Sequence, residues 1–224
     1  MLFSTLVKAV LGASVFVGAS PSPLILPIGG GSKLPTYPPG IGNATFDGKT
    51  KCTFPLPEAG FTPSKYVGTP AKPAVWYQLA ASFQFFEVGC SCVYAKYGAY
   101  SNGSISVTNF CLKGNSPSSI SGVAVPRPNY GGAGAYTVMF GQPSGSCGAE
   151  APNYIVSKYY TDSKGKYTAA VVGSDNFDSW FLLSKQRIVD ATTIDGHLKD
   201  IATLGYDLSK SYSITKQNST CPSP

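Results

Sequence analysis

From residue 73 onward the chain alternates apolar and polar positions in short runs separated by turn residues, the period-two texture of half-buried strands. The first run is PAVWYQLAASF, residues 73–83, with Trp76 near its start. The clearest pair is CVYAKYGAYSNGSISVTNF, where two alternating runs flank Asn102 and Gly103. Asn-Gly tolerates the positive φ angles of a type I′ turn. With those two residues central, paired positions sum to about 205, which sets Tyr97 opposite the neighbourhood of Thr108 and Asn109. Further strands are expected near 118–126, 134–141, 152–160, 166–173 and 179–185, making eight. The period then changes. DATTIDGHLKDIATLG places Ile194, Leu198 and Ile201 on one face and ends at Gly205, which predicts one amphipathic helix laid on the sheet. A short strand is expected near SYSIT. An all-β meander, sandwich or barrel fits the runs, and eight antiparallel strands followed by a helix suit an eight-stranded up-and-down β-barrel with the helix packed outside.

The two ends of the pattern differ from its middle. MLFSTLVKAVLGASVFVGAS carries one early charge, Lys8, then an apolar run and small residues before Pro21, the build of a cleaved secretory signal over 1–20. The apolar run Ala9–Val17 is too short to span a bilayer, and no later stretch is apolar enough, so no integral membrane association is expected. Residues 21–51 read as a Pro/Gly-rich arm, with 52–222 as the folded domain.

Six cysteines, at 52, 90, 92, 111, 147 and 221, suit three bridges in an oxidising compartment, and sequence permits fifteen pairings of them. Cys90 and Cys92 are too close for a zinc knuckle, and the sole histidine, His197, argues against a metal site. Sequons at Asn43, Asn102 and Asn218 accord with a secreted chain. The formal charge of +6 becomes +5 without Lys8, 16 basic against 11 acidic residues. That charge is scattered, without basic runs interleaved with aromatics, which excludes a nucleic-acid footprint.

Taken in order, several local stretches resemble the lipocalins, within the branch of apolipoprotein D and bacterial lipocalin: WYQLA, FEVGCSCVYAKY, NGSISVTN, ISGVA, WFLLSK, HLKDIATLGYD and STCP. The likeness covers roughly residues 52–222. It departs from the family pattern at three places: Ala74 stands at the glycine of Gly-x-Trp, Lys158, Tyr159 and Tyr160 replace Thr-Asp-Tyr, and Lys185 stands where Arg is usual. The resemblance implies that Trp76 plugs the closed end of the barrel with Lys185 across its indole face, a structural pair in which a cation over a π-face contributes about 0.5–2 kcal/mol. It also implies that Cys92 pairs with Cys221 in the C-terminal tail. The hairpin register makes Cys90 with Cys111 plausible, and Cys52 with Cys147 remains.

An eight-stranded barrel is just wide enough to be filled by its own side chains or to hold one small ligand. By the same resemblance, lumen positions are Tyr97, Asn109, Tyr136, Val138, Phe140 and Phe181. Apolar walls with a few polar tips suit a small hydrophobic molecule such as a fatty acid, sterol or retinoid. A fatty acid would want a cation at the mouth, for which Lys96 and Lys113 are candidates. The leading expectation is a secreted, non-enzymatic carrier or scavenger with no cofactor. The alternatives are a filled barrel that binds a glycan or a protein through tyrosine-rich stretches such as KYGAYSNG and, more remotely, a lipocalin-type enzyme. No Ser-His-Asp or paired-carboxylate constellation is evident, and His197 on an outer helix does not suit haem.

Overall fold

The alternating runs become a wall that closes on itself. The computed structural model describes residues 41–46, 50–143, 147–148 and 151–224, so the expected signal over 1–20 and the arm up to residue 40 lie outside the described residues. Within the expected arm, β1 (Ile41–Phe46) pairs antiparallel with β2 (Thr50–Pro55) in a two-stranded ribbon. A four-residue helix, α1 (Pro63–Tyr66), with proline in its first turn, precedes the barrel.

The barrel strands are β3 (Ala74–Ser82), β4 (Cys90–Ala99), β5 (Ile105–Lys113), β6 (Ser116–Pro126) and β7 (Ala135–Phe140), then, after the two-residue β8 (Gln142–Pro143), β9 (Tyr154–Thr161), β10 (Tyr167–Gly173) and β11 (Trp180–Ser184). Each pairs antiparallel with its neighbour, and β11 returns to β3, from Phe181 opposite Ala81 to Ser184 opposite Tyr77. This is the expected closed eight-stranded barrel. Side chains alternate across the wall: on β10, Ala170 and Val172 join the inner cluster while Val171 faces the helix side.

α2 (Ala191–Thr203) lies outside. Asp190 caps it, accepting from Thr193 N at 2.8 Å and Thr193 Oγ1 at 2.7 Å, and Gly205 leaves it at φ 96°. Leu198 and Ile201 are buried against Leu79, Val171 and Leu182, with Ile194 packed alongside. Strand residues near the helix are therefore covered on both faces, which explains the continuous burial of Leu79, Ala80 and Ala81.

The β4–β5 turn differs from the expected one. Gly103 N donates to Tyr100 O at 3.0 Å and Tyr100 N to Ser104 O at 2.8 Å, so residues 101–103 form a three-residue loop. Gly103 alone takes positive φ, 84°, making a type I turn closed by a left-handed glycine. Asn102 Oδ1 holds this shape by accepting from Ser104 N at 3.0 Å and Ser104 Oγ at 2.6 Å. The register shifts by one: Tyr97 faces Val107, and Asn109 faces Ala95. A second irregularity sits nearer the mouth. Ser91 pairs with Leu112 and Tyr94 with Phe110, so Cys92 and Val93 together oppose Cys111 in a bulge where Cys92 has φ 55°. The hairpin register expected from Asn102 and Gly103, in which pairs sum to about 205 and Cys111 would face residue 94, gives way to this bulge. Cys90 bridges to Cys111, and Cys92 bridges to Cys221. The third bridge, Cys52–Cys147, ties the ribbon to the loop after β8.

Two stretches of wall need help. β7 and β9 share only the pairs Ala135–Ile155 and Tyr136–Tyr154. Beyond them the Asn153 carboxamide stands in for the next rung, accepting from Val138 N at 2.7 Å and donating to Val138 O at 3.0 Å. β3 and β4 pair only over Ala74–Tyr77 with Tyr94–Tyr97, and then part. The C-terminal tail fills the split. β12 (Tyr212–Ile214) pairs with β3, Thr215 N donates to Leu79 O at 2.8 Å, and Cys92 N donates to Lys216 O at 2.9 Å. Gln217 Nε2 then reaches both sides, Gln78 O at 3.1 Å and Val93 O at 2.6 Å.

Two glycines separate packing from propensity. A Cβ on Gly173 would overlap the Tyr206 phenol, whereas one on Gly196, inside α2, would meet nothing within 4 Å. Gly173→Ala is expected to destabilise the fold by about 3 kcal/mol through overpacking. Gly196→Ala is expected to stabilise it by about 0.5–1 kcal/mol through helix propensity. Urea denaturation of both variants checks the pair, and equal effects would contradict the close approach of Tyr206.

Candidate functional site

One end of the barrel is sealed by aromatic packing. Trp76 is 0% exposed, and its Nε1 donates to the backbone carbonyl of Tyr66 at 2.8 Å. The Tyr66 ring stacks on the indole at 4.4 Å between centroids and on Tyr97 at 5.6 Å. Phe61 lies edge-on to Tyr66 and stacks on Tyr167, whose hydroxyl accepts from Thr62 N at 2.8 Å. Lys185 Nζ sits 4.0 Å from the centroid of the Trp76 ring and donates to Val75 O at 3.2 Å.

Above this floor the barrel encloses a cavity of about 740 Å³. Of the expected lumen residues, Tyr97, Asn109, Val138, Phe140 and Phe181 line it. Tyr136 does not: the β7–β9 pairing sets Tyr154 opposite it, and Tyr154 lines the cavity while Tyr136 packs edge-on to it in the core, centroids 6.2 Å apart. Tyr97 and Asn109 share the inner face but stand one rung apart, because of the turn's register. Val107, Leu183 and Ala95 extend the apolar wall, and Phe86, 67% exposed, stands at the rim.

The polar groups of the lining fall into two levels. Near the floor, Tyr154 Oη donates to Tyr97 Oη at 3.1 Å and lies 2.7 Å from Tyr66 Oη. Burial pushes the Tyr97 and Tyr136 phenols up to about 12, and those of Tyr66 and Tyr154 well above the ordinary range. All four are neutral hydroxyls at physiological pH. Toward the mouth, Glu87 accepts from Gln78 Nε2 at 2.8 Å, and burial raises its carboxyl against the effect of that bond. Asp175 and Asp178 also border the cavity, and Asp175 accepts from Cys147 N at 2.9 Å. Neither Lys96 nor Lys113 lines the cavity; Lys96 Nζ instead lies 5.6 Å from the Tyr94 ring centroid. His197 packs against Tyr160 on the outer helix at 4.0 Å between rings. Among the described residues no cluster of His, Cys, Asp and Glu could hold a metal ion, and no helix is long and apolar enough to cross a membrane.

Gln78, Tyr154 and Glu87 are among the lining residues that escaped the sequence reading. Gln78 had a signal, a lone amide inside the apolar run VWYQLA. Tyr154 sat in a recognised strand, but its facing depended on where that strand begins. Glu87 lies in the 3₁₀ turn Phe85–Glu87 between β3 and β4, where no periodicity assigns a face.

Residues 64–216 match the family model described as Lipocalin-like domain. Among solved structures, insecticyanin from the tobacco hornworm Manduca sexta is 19% identical with a TM-score of 0.53, covering 74% of this chain and 86% of that one. The allergen Per a 4 from cockroaches is 18% identical with a TM-score of 0.51, covering 74% and 95%. Lobster apocrustacyanin A1 is 18% identical with a TM-score of 0.50, covering 73% and 85%. At such identities the likeness is one of fold. No functionally curated protein matches the sequence.

The floor cation makes stability depend on pH. Burial first, and Lys166 second, lower the Lys185 ammonium from an ordinary 10.5 to about 8. Between those values the unfolded chain binds more protons than the folded one, so stability rises with pH across that window. The buried phenols oppose the trend only above about pH 10, where unfolded tyrosines ionise first. Denaturant midpoints of the wild type should therefore climb from about pH 7.5 to about pH 9.5. Lys185→Arg, whose guanidinium keeps its proton throughout, should flatten the climb. The same slope in both proteins would acquit the ammonium.

Proposed function

The chain belongs to the lipocalin-like domain family, and from that premise we propose that it is a secreted, non-enzymatic carrier or scavenger of one small hydrophobic molecule held in the barrel lumen. The observation that carries this reading is the cavity. Its volume of about 740 Å³ lies within the span of roughly 300–1,000 Å³ common to small-molecule sites. Its wall is largely aliphatic and aromatic, with a few hydroxyls and amides to fix orientation. Apolar burial there would supply roughly 25 cal/mol per Å² of ligand surface removed from water.

Export is supported by the leader-like residues 1–20 and by the commitment of all six cysteines to bridges, since such bridges persist in oxidising compartments. The same bridges leave no thiol for nucleophilic turnover of a ligand. A filled-barrel interaction module has less support, because the side chains stop short of filling the lumen above Tyr97.

An environment-sensitive apolar fluorophore should bind the purified protein saturably, at one per chain. Val138→Trp, which places an indole in the lumen, should weaken that binding at least tenfold while the thermal transition stays cooperative. Organic extraction and mass spectrometry of the native protein should recover a co-purified small molecule. Absence of saturable binding in the wild type would remove the carrier reading, and a thiol titrating in the unreduced, denatured protein would reopen the enzymatic one.

A further inference from the structure

The hydroxyls at the cavity floor carry information about the guest. A phenol has one proton to give. Tyr154 gives its proton to Tyr97, so the 2.7 Å contact between Tyr66 and Tyr154 must be donated by Tyr66. The relay runs from Tyr66 to Tyr154 to Tyr97 and stops there. Tyr97 is 5% exposed and lines the cavity, yet its own proton has no acceptor among the described residues. On the wall around it Val107 lies opposite on β5, Ala95 and Val138 line the same cavity, and Asn109 stands one rung away. A buried donor left without an acceptor costs roughly 1–3 kcal/mol, and a water needs about two to four polar partners to sit comfortably.

Charge narrows the guest further. Among the described residues the charged side chains bordering the cavity are Glu87, Asp175 and Asp178, and no described lysine or arginine lines it. The floor cation, Lys185, is held against the indole and the Val75 carbonyl and does not line the cavity. A carboxylate or phosphate taken down to Tyr97 would shed its water without gaining a counter-ion, which disfavours the charged form strongly. A neutral oxygen meets no such penalty.

On the carrier reading above, we infer that the lumen selects an uncharged amphiphile whose buried end bears a carbonyl or hydroxyl oxygen accepting the Tyr97 proton, in preference to an anionic lipid. Tyr97 is thereby the specificity-determining residue, and the relay behind it fixes the direction of its proton. The ligand's body lies against Val138, Phe140 and Phe181, and its far end reaches the acidic mouth.

Displacement of the bound fluorophore by 2-dodecanone, 1-dodecanol and dodecanoate tests this with matched chains. The ketone and the alcohol should compete at concentrations at least about tenfold lower than dodecanoate. Tyr97→Phe should weaken the ketone about fivefold more than it weakens the fluorophore, the worth of one net hydrogen bond. Tyr154→Phe removes a relay member but not the Tyr97 proton, and it should keep the ketone preference. Dodecanoate competing as well as the ketone would overturn the inference, as would a ketone affinity indifferent to Tyr97→Phe or lost equally in Tyr154→Phe. The wild-type ranking decides the matter even if neither variant folds. Failure of the fluorophore itself to bind the wild type would instead sink the carrier reading from which the inference starts.

Discussion

The Tyr66 ring, held between Trp76 and Tyr97, governs how much of this barrel is hollow. Eight strands enclose a space that side chains can just fill, so a cavity exists only where large residues are withheld. The floor takes the large ones: Tyr66, Trp76, Tyr97, Phe61 and Tyr167 pack in one cluster. Aromatic pairs contribute about 0.5–1.5 kcal/mol beyond their burial, and the indole is held twice more, by its bond to the Tyr66 carbonyl and by the ammonium of Lys185. With bulk concentrated there, the small Ala95, Val107 and Val138 leave the cavity open. Packed core and open cavity are divided along the barrel axis, and Tyr97 belongs to both.

The same division appears in the wall. Toward the floor the β4–β5 ladder is regular, over Tyr94–Ala99 against Ile105–Phe110. Toward the mouth they give way to the bulge at Cys92, the carboxamide of Asn153 acting as a rung, and the tail inserted between β3 and β4. The first of these carries two disulfides, and the others are closed by side-chain and tail hydrogen bonds in place of ladder bonds. The bulge turns the two near-adjacent cysteines to different partners, Cys111 across the strand and Cys221 in the tail.

Much of this was legible beforehand because periodicity reports on burial directly. The eight alternating runs, the face of α2 with Leu198 and Ile201, and its Gly205 end all follow from local chemistry. So did the placement of Tyr97, Asn109, Val138, Phe140 and Phe181 on the inner wall, once the family resemblance set their facing. What was not legible depended on single-residue register or on chain ends. Asn102 and Gly103 permit two turns that differ by one residue, and Asn102 settles the choice by bonding Ser104. The ribbon β1–β2 escaped because its first strand begins in a stretch dominated by proline and glycine. Tyr136 faces inward as expected, opposite Tyr154, but packs against that ring in the core, and which of the two meets the cavity is set by packing across the barrel that no window of either strand contains.

The tail's place in the wall has a consequence in time. Gln217 bonds to Gln78 and Val93, so the upper rim joins residues from the first barrel strand to residues near the end of the sequence. During synthesis the earlier strands can leave the ribosome and meet one another, but the rim stays breached until Thr215, Lys216 and Gln217 have emerged. The wall is completed last at its lip, once Gln217 has left the ribosome and can reach Gln78 and Val93 together.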